Sequence, residues 1–332
     1  MGSSTAAKKP AVKRSGWHYS KQLEKESARW QEHVDDVAQR VGRDVPIIHV
    51  ADREADAFPL LLYLVDNGHR FVIRMARDRR GRADELADIE TVRSIVSRTG
   101  ETMVTEVGIN SRTGAALPRM GKARDARTAK LGFASTRLQI KRPYYLFNET
   151  MWLHLNVVHV REIDVPRGVE PIDWMLLTSE PIDTPDQLRR IVDCYRRRWL
   201  IEEYFKALKT GCAMEKRELE SFDSLGRALA LFVPIAFHML LLRSVARAAK
   251  ETTAEAVLTT TQIEVLVAMG RVRSNPTALD VLMAVAELGG YYNKQRPPGW
   301  LVLARGVRDL IRYEEGWIAA KAHLSAQEAI KR

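Results

Sequence analysis

Cysteine is nearly absent from this sequence: Cys194 and Cys212 are the only two among 332 residues. Both fall on one expected helical stretch, where a rise of about 5.4 Å per turn keeps them out of disulfide reach. Both therefore read as reduced packing residues. The eight histidines show no H-x-x-x-H pair with a third ligand, and no G-x-x-x-x-G-K-[ST] loop occurs, which argues against a zinc enzyme or a phosphate-loop NTPase. Long apolar runs are missing as well. The longest, 228–242, is interrupted by Pro234 and His238 and falls short of the roughly 20 residues that span a bilayer. With no charged-then-apolar signal at the start, no membrane partner is expected and the cytoplasm is the expected compartment. Aspartate, finally, does not occur before Asp35.

Positive charge is what the chain has in excess. Lys and Arg number 52 against 42 Asp and Glu, a net charge of +10, and the pI near 9.6 favours an anionic polymer such as nucleic acid as partner. Residues 1–16 (MGSSTAAKKPAVKRSG) are small, basic and aperiodic and read as a disordered leader. Residues 17–43 carry Trp30, Val34, Val37 and Val41 at helical spacing. The apolar run 45–51 predicts a strand covered on both faces, followed by a helix over about 54–67 and a second strand over 70–75, an α/β unit. From 77 to 181 the pattern turns to short strands, at 102–109, 137–140, 152–160 and 174–178, separated by basic loops at 77–82 and 121–130. Beyond Gly211 the pattern is helical, at 225–247, 261–269, 276–288 and 300–322.

The most informative stretch is 195–209 (YRRRWLIEEYFKALK). On a regular helix of about 100° per residue, Tyr195, Arg198, Glu202 and Lys209 fall within an arc of roughly 60° over about 21 Å, so one carboxylate sits in a cationic strip. Such a strip suits a phosphodiester, with the cations on phosphate oxygens and Glu202 on a divalent ion. Thr184-Pro185-Asp186-Gln187 reads as N-cap, first-turn proline and capping-box glutamine, and Gly211 as the stop. Leu188, Ile191, Val192, Tyr195 and Trp199 should bury one side.

Asp52 closes the first predicted strand, where α/β sheets place ligands. Taken alone it reads more readily as an N-cap for the helix that follows; pairing with Glu202 is what raises the metal-binding reading. Trp174 stands before an apolar strand, where tryptophan is usually core, and Arg74 and the basic loops read either as solvated faces or as phosphate contacts. In the last helix Trp300, Leu303, Val307, Leu310 and Trp317 form a stripe that core packing explains by default.

With Val50-Ala51-Asp52-Arg53-Glu54-Ala55-Asp56 and the unbroken Y-x2-R-x3-E-x6-K signature, the chain resembles the Tn-five-type, IS-four-family DDE transposases, cut-and-paste DNA recombinases. Glu24-Lys25-Glu26-Ser27, Arg70-Phe71-Val72-Ile73-Arg74, Trp174 through Pro181 and Leu288-Gly289-Gly290 support the resemblance, which covers about 18–325. It implies a ribonuclease-H-like α/β core (17–76 and 182–247), a β-rich insertion (77–181) and a C-terminal helical region (248–332). Asp52 and Glu202 would hold two Mg²⁺ or Mn²⁺ ions as catalytic carboxylates. Tyr195, Arg198 and Lys209 would contact transposon-end phosphates, Arg74 and Arg53 the DNA near the cleaved end, and Trp174 a flipped base. The implied chemistry is nicking, hairpin formation and opening, and strand transfer, by a bacterial nucleoid-associated enzyme that forms a homodimer through its C-terminal helices.

The resemblance is incomplete at one place. The family carries three metal-binding carboxylates, and the first should precede Glu24, where this sequence has no aspartate. The expectation is therefore a chain lacking the first core strand and its Asp, defective alone. Two alternatives stay open: a shortened form that binds DNA or dimerises and so inhibits a full-length relative, and, with less support, a host nuclease on the same core.

Overall fold

The structure, a computed structural model, describes residues 16–42, 44–109, 126–146, 149–248, 251–292 and 297–330, with side chains described from residue 28 to residue 327. All of the expected leader but Gly16, and residues 121–125 of the basic loop, lie outside the described residues. So do the side chains of Glu24 to Ser27. The chain divides into two compact units, one ending at Arg198 and one beginning at Trp199.

The first unit is built on one open sheet. Its elements are α1 (Gly16–Val41), β1 (Ile48–Ala51), α2 (Phe58–Asp66), β2 (Arg70–Arg74), β3 (Arg80–Arg82), β4 (Glu90–Thr91), α3 (Val92–Ser97), β5 (Met103–Ile109), β6 (Arg127–Lys141), β7 (Trp152–Ile163), β8 (Asp173–Thr178) and α4 (Pro185–Arg197). β1 and β2 run parallel, joined through α2, with Ala51 beside Ile73. From β2 the sheet continues antiparallel through β8, β7 and β6 to β3 and β4, and β5 pairs with β6. Alternation along the strands fills both faces. Phe71 and Ile73 of β2, with Leu177 of β8, join Leu60 and Leu61 of α2 in one core. Val72 and Leu176, pointing the other way, meet Leu188, Ile191, Val192 and Tyr195 of α4 in the second. The strands read as continuous apolar runs because they are covered on both sides.

Several boundaries differ from the sequence reading. The helix expected from residue 54 begins at Phe58, preceded by a single 3-10 turn at Arg53–Ala55. Pro59 in the first turn has no N–H to offer the carbonyl four residues back, so the helix cannot extend toward Glu54. The candidate strand 137–140 is the end of the fifteen-residue β6. The stretch 77–181 is not set apart from the first two strands, because β8 returns to pair with β2. The division at 198/199 also differs from boundaries at 76, 181 and 247, since the long helix after residue 221 packs with the C-terminal helices.

That second unit is helical: α5 (Trp199–Lys206), a π-helical turn (Ala207–Gly211), α6 (Phe222–Ala248), α7 (Thr260–Ala268), α8 (Ala278–Leu288) and α9 (Trp300–Ile330). Thr259 and Thr277 cap α7 and α8 with capping boxes. α6 contains Pro234 without ending there; by length and composition it is long and apolar enough to cross a membrane, which corrects the estimate from the shorter run 228–242. Ala236, Met239, Leu242 and Ala246 on α6 are nevertheless buried in the core of this unit. The stripe on α9 lies in the same core: Trp300, Leu303, Val307 and Leu310 are buried, so it is not free to pair with a second copy as a dimer seam.

α8 and α9 approach through glycine. A Cβ on Gly306 would lie 1.8 Å from the Val285 carbonyl oxygen, and one on Gly289 would lie 1.9 Å from that of Val302. These atoms belong to helix backbones, which cannot give way. Gly306→Ala is therefore expected to lower stability by about 3 kcal/mol, read as a fall in the urea midpoint at unchanged denaturant slope; Gly316→Ala, inside the same helix with open space at its Cβ, is the control and should raise the midpoint by the equivalent of about 0.5–1 kcal/mol of helix preference.

Candidate active site

The carboxylate of Asp52 is placed by the end of β1. Ala51 and Ala55 are buried, while Asp52 between them leaves the sheet in an extended conformation, φ −94° and ψ −160°. Its Oδ1 accepts the Glu54 N–H at 3.2 Å, so it is the N-cap of the 3-10 turn, the plainer of its two readings. The other oxygen, Oδ2, is 3.5 Å from Arg198 Nη1, with the Asp52 side chain 42% exposed and that of Arg198 20%. Arg198 is the C-cap of α4. The structure thus joins two of the residues singled out in the sequence, as a solvent-accessible carboxylate beside a guanidinium. Arg53, the next residue, is exposed.

The turn that carries Asp52 is held by a pair that the sequence did not reveal. Asp56, whose side chain is 2% exposed, accepts the Ala76 N–H at 2.6 Å and Arg79 Nε at 2.9 Å, and Arg79 Nη2 donates to the Asp56 carbonyl at 2.8 Å. This ties the turn after β1 to the turn after β2. A charge buried this completely survives only when its hydrogen-bonding capacity is filled. Nothing local in the sequence announces the pairing, because Arg79 lies on a different turn.

Arg74 and Trp174 are set by β2 and β8. Arg74 Nη2 donates to the Asp173 carbonyl at 3.1 Å. The Asp173 carboxylate accepts from Arg93 Nη1 at 2.9 and 3.1 Å and meets His159 Nε2 at 3.0 Å. Burial opposes the charge on Asp173, but the hydrogen bonds from Arg93 and His159 outweigh it and hold its pKa below the ordinary carboxylate value. Burial pushes His159 down in spite of that partner. Trp174, half-buried, meets Tyr195 edge to face, with centroids 5.2 Å apart and planes at 62°. Tyr195 itself is 5% exposed and belongs to the core under the sheet, so it braces Trp174 rather than lying open along a cationic strip. The Arg93–His159–Asp173 cluster was also missed; its signal was a charged residue at the start of a strand, too common to single out.

Glu202 and Lys209 lie in the second unit. Glu202 is half-buried in the first turn of α5. Lys209 is exposed, and its Nζ is 2.8 Å from Glu215 Oε1. The single helix expected over 185–211 is interrupted: α4 ends at Arg197, α5 begins at Trp199, and a π-helical turn over Ala207–Gly211 closes with the Cys212 N–H on the Ala207 carbonyl at 3.0 Å. A π turn takes more residues per turn than an α-helix, so the constant angle that placed Lys209 in line with Glu202 does not carry through. Trp199, expected in the core, is 48% exposed. Gly211 is required for a reason other than the expected left-handed stop: a Cβ there would meet Met239 Cε at 2.9 Å and the Trp300 carbonyl at 3.3 Å, and the left-handed residue is Ala213, φ 52°.

Among the described residues no three His, Cys, Asp or Glu side chains converge as a cage for an ion. Mg²⁺ does not need one, since it is often bound through one or two carboxylates with phosphate oxygens and water completing its octahedron. Asp52, on one N–H and otherwise reachable by solvent, is a donor of that kind.

An open mixed sheet with helices on both faces, a carboxylate at the C-terminal end of its first strand and a guanidinium against that carboxylate defines an α/β protein equipped to meet a phosphate. The profile of the Transposase DDE domain family matches residues 19–233, well over half of the chain, and the chain belongs to that family. Its members are transposases, acting on DNA with divalent metal ions.

One buried and two half-buried histidines give this protein an acid-side limit. His159 is held below its ordinary pKa by burial, as are His238 and, with help from His69, His49. The unfolded chain takes up these protons at about pH 6.5, so their neutral forms support the fold above that pH and the support is lost as the pH falls through it. The urea midpoint is expected to drop between pH 7 and pH 5, and His159→Gln to make the drop shallower.

Proposed function

We propose that this protein is a DNA transposase of the Tn-five type in the IS-four family, which cleaves transposon ends, passes through a hairpin and joins the freed end to target DNA. The observation that carries this reading is the Asp52–Arg198 pair at the end of β1, inside the stretch that the family profile matches. Asp52 and Glu202 are the residues that would hold the divalent ions, which when bound supply Lewis acidity at phosphorus and at the attacking and leaving oxygens.

The remaining groups orient the DNA. Arg198, whose Nη1 lies 3.5 Å from Asp52 Oδ2, would bring its positive charge to a phosphate bound beside that carboxylate. Lys209 exchanges Glu215 for a phosphate oxygen at little cost, because an exposed ion pair is worth about 1 kcal/mol or less. Arg74, steadied by the Asp173 carbonyl, and the exposed Arg53 contact the backbone near the cut. Trp174, braced by the edge of the Tyr195 ring, offers its face to a base displaced from the stack, a contact worth about 1–3 kcal/mol. Self-association through the exposed Tyr313, Ile318 and Leu324 of α9 would bring two ends together.

A second reading keeps DNA binding and self-association without cleavage: the protein would act as a DNA-binding, dimerising inhibitor of a complete relative. A nicking assay on a labelled transposon-end duplex with Mg²⁺ or Mn²⁺ separates the two. Cleavage by the protein alone supports the enzyme, and Asp52→Asn and Glu202→Gln should each lower it by about a hundredfold or more. Binding without cleavage, together with suppression of an active relative, supports the inhibitor. Arg74→Ala should weaken duplex binding and reduce the steepness of its salt dependence by about one phosphate contact. Absence of both binding and cleavage rejects the transposase reading.

A further inference from the structure

The first unit contains a cavity of about 1090 Å³ that starts one residue beyond Asp52. It is walled by the turns at 53–59 and 76–80, the segment 141–146, and Arg29, Trp30 and His33 of α1. Seven cationic side chains line it against three carboxylates. Two of those acids are already committed: Asp56 to the Ala76 N–H and to Arg79, which is one of the seven cations and is neutralised by it, and Asp78 to the Arg93 N–H at 3.0 Å. Arg29, Arg53 and Lys141 carry no carboxylate partner among the described residues. The surplus of positive charge is therefore available to an anion.

Aromatic rings are interleaved with these cations. Tyr144 is 87% exposed and Trp30 37%, and Tyr145 stands edge-on to Tyr144 with centroids 5.5 Å apart. Core packing does not account for a tyrosine that gives nearly all its surface to water. Flat apolar faces set among cations in excess of carboxylates suit one chemistry well, a polyanion with stackable bases. A duplex keeps its bases stacked on one another, so these rings gain from an unpaired strand and little from a paired one. At about 1090 Å³ the cavity lies at the upper end of the roughly 300–1,000 Å³ usual for small-molecule sites, room for more than one nucleotide.

We propose that this groove is a subsite for an unpaired DNA strand, with bases stacked on Tyr144 and Trp30 and phosphates on Arg29, Arg53 and Lys141, leading to Asp52. It deepens the transposase reading and rests on it: cleavage at a duplex end releases a strand that needs a path away from the carboxylate.

The test is fluorescence anisotropy of the full chain with two probes, a labelled oligothymidylate of about a dozen nucleotides, within the range of known single-strand site sizes, and a blunt duplex. Tyr144→Ala combined with Trp30→Ala should weaken oligothymidylate binding by about ten- to a hundredfold, the scale of one or two lost stacking contacts, at unchanged duplex affinity. Tyr144→Phe should retain it, and Arg29→Gln with Lys141→Gln should flatten its salt dependence. Circular dichroism of each variant checks folding, which the exposure of Tyr144 leaves unthreatened. Unchanged oligothymidylate affinity in the double alanine variant, an equal loss on the duplex, or thymidine monophosphate competing as well as the strand would each overturn the proposal. Failure of duplex nicking with strand binding intact counts against cleavage by this protein and not against the groove; nicking intact with no strand binding rejects the groove alone.

Discussion

The antiparallel pairing of β2 with β8 is the constraint on which the first unit depends. Between these strands the chain leaves the sheet's first two strands, builds β3 through β7 and comes back, and the return register sets Arg74 opposite Leu176. Three consequences follow from that one register. The Asp173 carbonyl lies within reach of Arg74. Trp174 is delivered to the face that α4 covers, where Tyr195 meets its edge. α4, capped at Thr184 directly after β8, runs so that its last residue reaches the carboxylate at the end of β1. A slip of one residue would turn Leu176 and Leu177 onto each other's faces and empty both cores.

The ion pairs of the protein include two kinds. Asp56 with Arg79, and Glu162 with Arg127, are nearly buried pairs, and breaking one would strand a charge away from water at a cost of several kcal/mol. They hold turns and strand ends in place. Arg198 with Asp52, and Lys209 with Glu215, are open to solvent to different degrees; pairs of that kind contribute little and are screened by salt. The buried pairs fix the fold, whereas an exposed pair can exchange a partner without disturbing it.

Glycine and the π turn show why a helix read from sequence is too regular. The sequence between 185 and 211 has no internal glycine or proline after Pro185, and its side-chain pattern is consistent with one unbroken helix. The structure breaks it twice, between Arg197 and Trp199 and again at the π turn over Ala207–Gly211, and at Gly211 little room is left for a Cβ beside Met239 and the Trp300 carbonyl, residues distant in sequence. The same holds at Gly289 and Gly306 between α8 and α9, where helix backbones come closer than any side chain permits.

The sequence by itself determined what depends on local preference and periodicity. The covered strands β1 and β2, the capping box at Thr184, the buried stripe of Leu188, Ile191, Val192 and Tyr195, the reduced cysteines and the helical character of the second unit were all legible, because propensity, capping and alternation act over a few residues. Asp52 was legible as a residue of interest, in both of its readings. Tertiary structure alone decided the rest: that residues 77–181 share the sheet of β1 and β2, that Tyr195 supports Trp174 from below, that Asp56 seeks Arg79 and Asp173 seeks Arg93, and that Trp199 stays exposed while the α9 stripe is buried. Each of these is set by which distant backbone or side chain arrives at a given place, and pairings of that range leave no period in the chain for a reader to count.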